Sequence, residues 1–516
     1  MSGDAEIRVT REAWAALGAL VVGFFMILVD STIVSVALPA LMDAFDASIT
    51  NVAWVTSAYL LAYAVPLLTM GRLGDRIGPK RIYMAGLTLF TLASLACALA
   101  PSLGALVGAR IAQGIAASMM TPQTMAVITR TFPRERRGGA MAIWGATAGV
   151  ATLAGPIIGG LLIDAASWEW IFLINLPVGL VGLYLAWRLV PRLETTSRSF
   201  DWLGVALSAL GIFALVFAIQ EGEAFNWGTI WGPISVSGLA MAGAALLGAF
   251  IVWQMLNRRE PLVPLALFRD RNFSVSNVAI AAVGFAVTAM MFPFMLYTQL
   301  VRGFTPTQAA LLLAPQAVMS ILLAPIAGRL VDRHHPRLLT GFGIAGFLIA
   351  LLLLSRVMGA DTPVWQVLAV TTLMGTAQSF VWGPLATSAN RNLPLNWAGA
   401  GSGVYNTTRQ MGAVLGSASI AALMQMRITA HLRGADAATG PAGGPDHTAA
   451  AEVPMPTFGD VLEPELAEPF AAAFSEAMLL PAALVALGLV AALFFENSRH
   501  LQARRTPGAP AAPPGR

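Results

Sequence analysis

A chain of 516 residues that is 57% hydrophobic and only 11% charged, with mean hydropathy +0.70, is not a water-soluble globule, in which roughly 25% of residues are charged. The net charge of +4 does not point to nucleic acid, because the basic residues sit in short loops between apolar runs, where membrane topology accounts for them. The single cysteine, Cys97, excludes an internal disulfide and, lying inside an apolar segment, reads as a buried structural thiol.

Apolar runs long enough to cross a hydrocarbon core of about 30 Å recur along the whole chain. The first starts at Ala13 and continues for roughly 25 residues, longer than the core of a cleavable signal peptide, so it is expected to remain as a membrane helix. Breaks rich in charge, Pro or Gly then place helices at 13–38, 51–72, 82–101, 104–130, 138–163 and 169–190. Two follow at 202–220 and 232–256, and a further six at 272–301, 307–329, 337–357, 364–389, 399–426 and 472–496, giving 14 spans. The expected organisation is an all-α integral membrane protein with a six-helix bundle in 1–190, an inserted helix pair with its flanking linkers in 191–271, and a second six-helix bundle in 272–498. The Gly-, Ala- and acid-rich stretch 427–471 reads as one long flexible outer loop, and the Pro/Ala/Gly-rich tail 499–516 as disordered.

An even number of spans puts both termini on one side. Loops and tails on that side hold 25 of the 31 basic residues, whereas the opposite side has only Arg302, Arg356, Arg427 and Arg433. Both termini are therefore expected in the cytoplasm of a bacterium, with the chain multi-pass in its plasma membrane. Trp168, Trp170, Trp227, Trp231 and Trp365 fall at predicted outer boundaries, and Trp187, Trp202, Trp253 and Trp397 at inner ones, as an interfacial aromatic belt requires.

Gly71-Arg72-Leu73-Gly74-Asp75-Arg76 after the second helix is repeated as Gly328-Arg329-Leu330-Val331-Asp332-Arg333 after the second helix of the last six, five identities in six positions. An internal repeat of this kind implies two halves with a binding site near the midplane between them, and alternating access by rocking. The segment Gly71, Gly74, Asp75, Arg76, Gly78, Lys80 and Arg81 resembles the signature loop of the major facilitator superfamily, which clamps the cytoplasmic ends of the two halves. On that resemblance Asp75 is the expected inter-helix charge partner, with Arg76 closing the network. Arg110-Ile-Ala-Gln113-Gly114 resembles the superfamily's arginine motif, associated with proton transfer. Gly155, Pro156, Gly159 and Gly160, with Gly149 nearby and Ala151 in place of the first glycine, resemble the antiporter signature of exporters. Leu28-Val-Asp30-Ser-Thr-Ile-Val-Ser35-Val-Ala-Leu-Pro39 resembles the first-helix signature of the EmrB/QacA-type family of 14-helix drug:proton antiporters, with Val29 inserted and Ser35 where Asn is usual. Trp168–Gly179, which contains Asn175, and Asn406-Thr-Thr-Arg409-Gln410-Met-Gly412 are similar to that family's sixth and thirteenth helices.

Of the 27 acidic residues only Asp30 lies deep inside a predicted span, and a carboxylate in hydrocarbon marks a functional site by default. Taking the first helix to end at Leu38 and the fourth to begin at 104, Asp30 and Arg110 lie about 12 and 9 Å from the same outer end, so they can pair. Burial then raises the Asp30 pKa and Arg110 lowers it, leaving a group able to exchange a proton as its partner moves; a static structural pair is the alternative. No histidine falls inside a span. Arg409 is a second buried base with no acid at its depth, a surplus of positive charge that argues mildly against a pump specialised for dications and leaves neutral, zwitterionic and anionic amphipaths open. Gln113, Asn175, Trp382, Asn406, Arg409 and Gln410, with Asp30, are candidates for the substrate cavity, and Met119, Met120, Met290, Met291, Met295, Phe292 and Phe294 could line it, with ordinary helix packing or lipid contact the default for any single one.

No phosphate loop, metal-ligand cluster or nucleophilic triad is visible within the membrane, which excludes an enzyme, a metal site or an ATP-driven pump in this chain. The resemblance implies a proton-coupled multidrug exporter of hydrophobic or amphipathic small molecules, with a proton gradient and no cofactor. An exporter of an endogenous lipid, peptide or antibiotic metabolite is the alternative, and an uptake symporter is disfavoured by the fifth-helix motif. The expected partners are a small-molecule substrate and membrane lipid, not nucleic acid, with the chain a monomer and a periplasmic adaptor unsupported.

Overall fold

The computed structural model describes residues 2–132, 134–195, 201–222, 225–257, 261–331, 335–390, 393, 398–439 and 464–496. Asp332, Arg333, Trp397, the middle of the predicted outer loop and the tail 499–516 lie outside these residues, and so do His334, His447 and His500.

The first segment runs as α1 (Ser2–Ile33), the short α2 (Leu38–Phe45), α3 (Ile49–Ala64), α4 (Leu67–Ile77), α5 (Pro79–Ala98), α6 (Leu103–Thr131) and α7 (Arg134–Ala165), then α8 (Trp170–Leu173) and α9 (Asn175–Leu189). The inserted pair is α10 (Trp202–Gln220) and α11 (Val236–Leu256), joined by a small hairpin of β1 (Thr229–Trp231) and β2 (Ile234–Ser235). A 3-10 turn at Leu265–Arg269 leads into α12 (Arg271–Leu296), which continues as a π turn to Val301. The last segment is α13 (Pro306–Leu311), α14 (Ala314–Val331), α15 (Pro336–Val357), α16 (Val364–Ser379), α17 (Trp382–Asn390), α18 (Ala398–Thr439), α19 (Pro464–Ala477) and α20 (Leu479–Ala492). All 14 predicted spans coincide with helix. Among the described residues 11 stretches are long and apolar enough to cross a membrane, and the α3–α4 pair, bent by 51°, makes a twelfth. The 32-residue α7 contains the apolar stretch Ala154–Ala165, and the α16–α17 stretch is helical but interrupted at Phe380 and Val381.

Helix boundaries follow local chemistry. Ser48, Ser102, Ser235 and Asp201 cap helix starts by accepting from the backbone amide three residues on, and Thr305 with Gln308 forms a reciprocal capping box. The predicted first span, 13–38, stops short at Ile33. The hydroxyls of Ser31, Thr32 and Ser35 each bond to carbonyls three or four residues back, and Pro39 then opens α2, so the backbone turns instead of continuing. The predicted outer loop is also corrected at both ends, since α18 runs on to Thr439 and α19 starts at Pro464. Alanine-rich sequence flanks the loop on both sides, and Pro464 followed by Glu465 suits a helix start. Arg427 and His431 on α18 meet Glu476 on α19, each at 3.2 Å.

We call the end of the bundle where α1 begins the base, and the end where α1 stops the crown. Helices of the first nine pack chiefly on each other, α1 on α7 and α9, α3 on α6, and α5 on α6 and α9. Those from α12 onward do likewise, α12 on α18 and α20, and α16 on α14 and α15. The two sets meet where α3 faces α18 and where α7 faces α13 and α14. Close approach rather than burial from water holds helices together in lipid. A Cβ on Gly412 would lie 2.1 Å from the Ala281 carbonyl oxygen, one on Gly416 2.5 Å from that of Phe285, and one on Gly284 2.5 Å from that of Arg409, so α12 and α18 touch backbone to backbone.

The inserted pair is not peripheral. Its α10 lies against both α18 and α3. Near the crown Trp54 Nε1 donates to Glu221, and Gln220, with its amide turned to satisfy both ends, donates to Ser57 Oγ at 2.8 Å, while Ser57 bonds Ser417 across the seam at 2.9 Å. At the base, buried Asp201 accepts from Gly204 N (2.9 Å), Trp253 Nε1 (2.7 Å), Gln254 Nε2 (2.8 Å) and Leu262 N (3.3 Å). Burial opposes its ionisation, but these donors outweigh it and hold the carboxyl below its ordinary range. A depressed pKa stabilises the fold fully above the unfolded value and loses that contribution as pH falls through the folded one. Asp201→Asn is therefore expected to lower stability by about 1–3 kcal/mol at neutral pH. The deficit should narrow on acidification, which thermal unfolding of both proteins in detergent across the carboxylate range measures.

Candidate functional site

Asp30 sits in the last turn of α1 and Arg110 in the second turn of α6, both wholly buried. The expected pairing is present: Arg110 Nη1 bonds Asp30 Oδ2 directly. The other carboxylate oxygen accepts from Asn175 Nδ2 (2.9 Å) at the start of α9 and from Gln113 Nε2 (3.2 Å), one turn beyond Arg110. Arg110 also donates through Nη1 to Gln113 Oε1 (2.8 Å) and through Nε to the Val55 carbonyl (3.0 Å), leaving Nη2 without a partner among the described residues. Its guanidinium lies over the Tyr59 ring, 4.0 Å from the centroid, and Tyr59 is anchored through its hydroxyl to the Ile27 carbonyl at 3.1 Å. The site thus ties together α1, α3, α5, α6 and α9.

Ser94, Tyr59 and the Val55 carbonyl escaped sequence reasoning. Ser94 accepts from Gln113 (2.7 Å) and from Asn175 (3.3 Å), so it holds both amides with their nitrogens facing Asp30. Tyr59 supplies the aromatic floor. A lone serine in an apolar helix was the only available signal for the first, and the second had none. Cys97 is buried and donates weakly to Gln113 Oε1 at 3.2 Å.

The substrate-cavity candidates separate. Asp30, Gln113 and Asn175 are the buried cluster above, while the others lie on α17 and α18 in the second set of helices. Trp382 is half-buried against the apolar core, Asn406 is turned onto its own helix, donating to the Ser402 carbonyl at 2.9 Å, and Gln410 is buried. Arg409 is half-buried and meets no carboxylate among the described residues. Of the methionines and phenylalanines weighed for a lining, Met290, Met291, Phe292, Phe294 and Met295 take the packing role, buried in the core toward the crown, Met120 is buried on α6, and only Met119 keeps partial exposure. They lie where α12 is enclosed by α18, α20 and α2, so their flexibility fills a seam instead of walling an open cavity.

The glycine-proline motif on α7 lies at the junction of three parts. A Cβ on Gly155 would meet Thr32 Oγ1 at 2.0 Å and one on Gly159 would meet Ile33 at 2.6 Å, immediately after Asp30 on α1. Gly160 faces the other set of helices, 2.6 Å from the Pro306 carbonyl oxygen by the same measure, with Pro156 inside the helix between. Gly149 lies earlier on α7, and its surroundings fall outside the described residues. Nearby, Thr307 N donates to Asp164 (3.0 Å) and Gln299 Nε2 to the Val36 carbonyl (3.1 Å), sealing the crown across the seam.

At the base Gly71 and Gly74 let α4 lie on α6, where a Cβ on Gly74 would strike the Gln123 side chain at 1.8 Å, and Gly78 ends α4 with φ +109°. Asp75 pairs with Arg130 of α6, and Arg130 also reaches the Glu194 carbonyl at 3.0 Å. This is an inter-helix charge pair of the kind expected of Asp75, and Arg76, the next residue on α4, is exposed. Lys80 caps the end of α9 by donating to the Trp187 (2.6 Å) and Val190 (2.7 Å) carbonyls, and Arg81 is exposed. Among the described residues no cluster of His, Cys, Asp or Glu could hold a metal ion.

Comparison with known proteins agrees with this architecture. The profile described as "Major Facilitator Superfamily" matches residues 20–417. An uncharacterized MFS-type transporter of Mycobacterium tuberculosis is 49% identical over 486 residues, covering 94% of this chain and 81% of its own. The tetracenomycin C resistance and export protein of Streptomyces glaucescens is 34% identical over 430 residues, covering 80% of this chain and 76% of its own. Among solved structures, a bacterial homologue of the human lysosomal transporter Spinster, crystallised inward-facing and unoccupied, superposes with a TM-score of 0.62 at 18% identity, covering 96% of this chain and 99% of that one.

Proposed function

The chain belongs to the major facilitator superfamily and is a multi-pass bacterial membrane transporter, and from that premise we propose that it is a proton-coupled exporter of hydrophobic or amphipathic small molecules, with its base in the cytoplasm. The observation that carries the reading is the Asp30–Arg110 pair. Asp30 is the one acid wholly buried within a membrane-crossing helix among the described residues, and its three donors are all side chains able to move with their helices. When α1 and α6 separate, the carboxylate loses its guanidinium in a medium of low dielectric and takes up a proton; when they return, Arg110 expels it. The α7 glycines couple this event to the seam, since they pack on α1 directly after Asp30 on one side and on α13 on the other. Similarity to a resistance and export protein supports the outward direction of transport.

The test is substrate-induced proton movement in inverted vesicles loaded with acid. Addition of a transported compound is expected to release protons from the lumen, read with a pH-sensitive dye, and an uncoupler should abolish both the release and the uptake. Uptake that continues undiminished after the pH gradient is collapsed would rule out proton coupling.

A further inference from the structure

Resting on the exporter reading, we propose that Arg409 is an anion-recognition point between the halves and that the favoured cargo is an acidic amphipath, an apolar body bearing a carboxylate, sulfonate or phenolate. Arg409 sits on α18 where that helix meets α12, with Gly284 admitting its backbone and the first part of its side chain. One turn further along α18, Ala413 is buried in the same apolar cluster as Tyr63 of α3 in the other set of helices, and Tyr405 lies one turn earlier on the face that Arg409 shares. Arg409 is therefore on the stretch of α18 that packs between α12 and the α3 side of the seam.

Three observations assign it to a ligand. The other guanidinium within the bundle, Arg110, is neutralised by Asp30, whereas Arg409 forms no ion pair with a described carboxylate. An unopposed charge at this depth is costly and is kept where it has a partner during function. Tyr405, 6% exposed and one turn before Arg409 on the same face of α18, leaves its hydroxyl buried without a hydrogen-bond partner among the described residues, so a cation and an idle hydroxyl stand together. Finally, Asp30 is fully occupied by three donors and shielded, and Asp164 at the crown already accepts from Thr307 N, whereas Arg409 meets no described carboxylate and repels a cationic cargo.

The experiment uses the full-length protein in proteoliposomes and a pair of probes that differ only by the acid, anionic 8-anilinonaphthalene-1-sulfonate and neutral N-phenyl-1-naphthylamine. The readout is the ratio of proton-driven anionic to neutral transport in wild type, Arg409→Gln and Arg409→Lys. Loss of one charge-assisted contact should lower the ratio about tenfold or more in Arg409→Gln, with most of it retained in Arg409→Lys. A ratio unchanged in Arg409→Gln, or a wild type that favours the neutral probe, overturns anion recognition while leaving the exporter reading intact. Failure of wild type to move either probe, or cationic ethidium, under a proton gradient overturns both. Each measurement is repeated with phosphatidylglycerol added to phosphatidylcholine vesicles. An Arg409 effect that disappears when the anionic lipid is present assigns the anion to a lipid headgroup and overturns the cargo assignment.

Discussion

Asp30→Asn is expected to abolish substrate-driven proton movement, with no signal above protein-free vesicles, and to destabilise the protein by about 3–5 kcal/mol, because it strands the wholly buried Arg110 without a counter-charge. Arg110→Gln should be about as destabilising at neutral pH, since it leaves the carboxylate unpaired in the same place. The double variant Asp30→Asn/Arg110→Gln separates coupling from folding: two neutral amides can keep the bonds to Gln113 and Asn175. Its stability should exceed that of either single variant, while coupling remains absent. Thermal unfolding gives the first quantity and dye-reported proton release the second. Wild-type proton release in Asp30→Asn would refute the mechanism, and a double variant less stable than both singles would refute the pairing argument.

Gly160→Val is expected to block transport by a different route. A Cβ there would stand 2.6 Å from the Pro306 carbonyl oxygen and 2.8 Å from Thr307 Cα, and backbone cannot swing aside as a side chain does. Overpacking of this kind costs about 1–3 kcal/mol, and all of it falls on the state in which the crown is sealed. The equilibrium between crown-sealed and crown-open forms should thus shift about ten- to hundredfold toward the open one. A cysteine placed at Val301, 6% exposed and two residues after Gln299, which crosses the seam to Val36, should react faster with an impermeant maleimide in Gly160→Val than in the parent, and transport should fall in parallel. Equal labelling rates with normal transport would show that the seam opens by another path.

The ion pair was legible from sequence because two rare residue types occurred at similar distances from one end of their helices, and the pairing survives even though α1 stops at Ile33 and not at Leu38. The chain turns there and stays buried in α2, so Asp30 keeps its depth despite the shortened helix. Gln113 and Asn175 were reached only through resemblance to a family. The Val55 carbonyl and Ser94 were out of reach, since a backbone acceptor has no letter of its own and a single hydroxyl leaves no period in an apolar helix. At the base an inter-helix role for Asp75 was legible by resemblance, but its partner Arg130, 55 positions away, was not, since one arginine among many near the helix ends carries no mark of its own. The Met- and Phe-rich stretch of α12 shows the corresponding limit for apolar residues, whose letters are the same whether they wall a cleft or fill a seam.

The segment that returns from α11 to α12 is fastened at both of its approaches. Asp201 and Gln254 hold it through Leu262 and Val263, and Arg72 of α4 grips the Pro261 carbonyl beside them. A swing of α4 must consequently tug on the root of α12, while the Gln220–Ser57–Ser417 rivet pins the far end of the same assembly. The two extra helices act as a leash of fixed length between the moving bodies, and swapping them for a slack glycine-serine strand would leave each body folded yet free to overshoot its stroke.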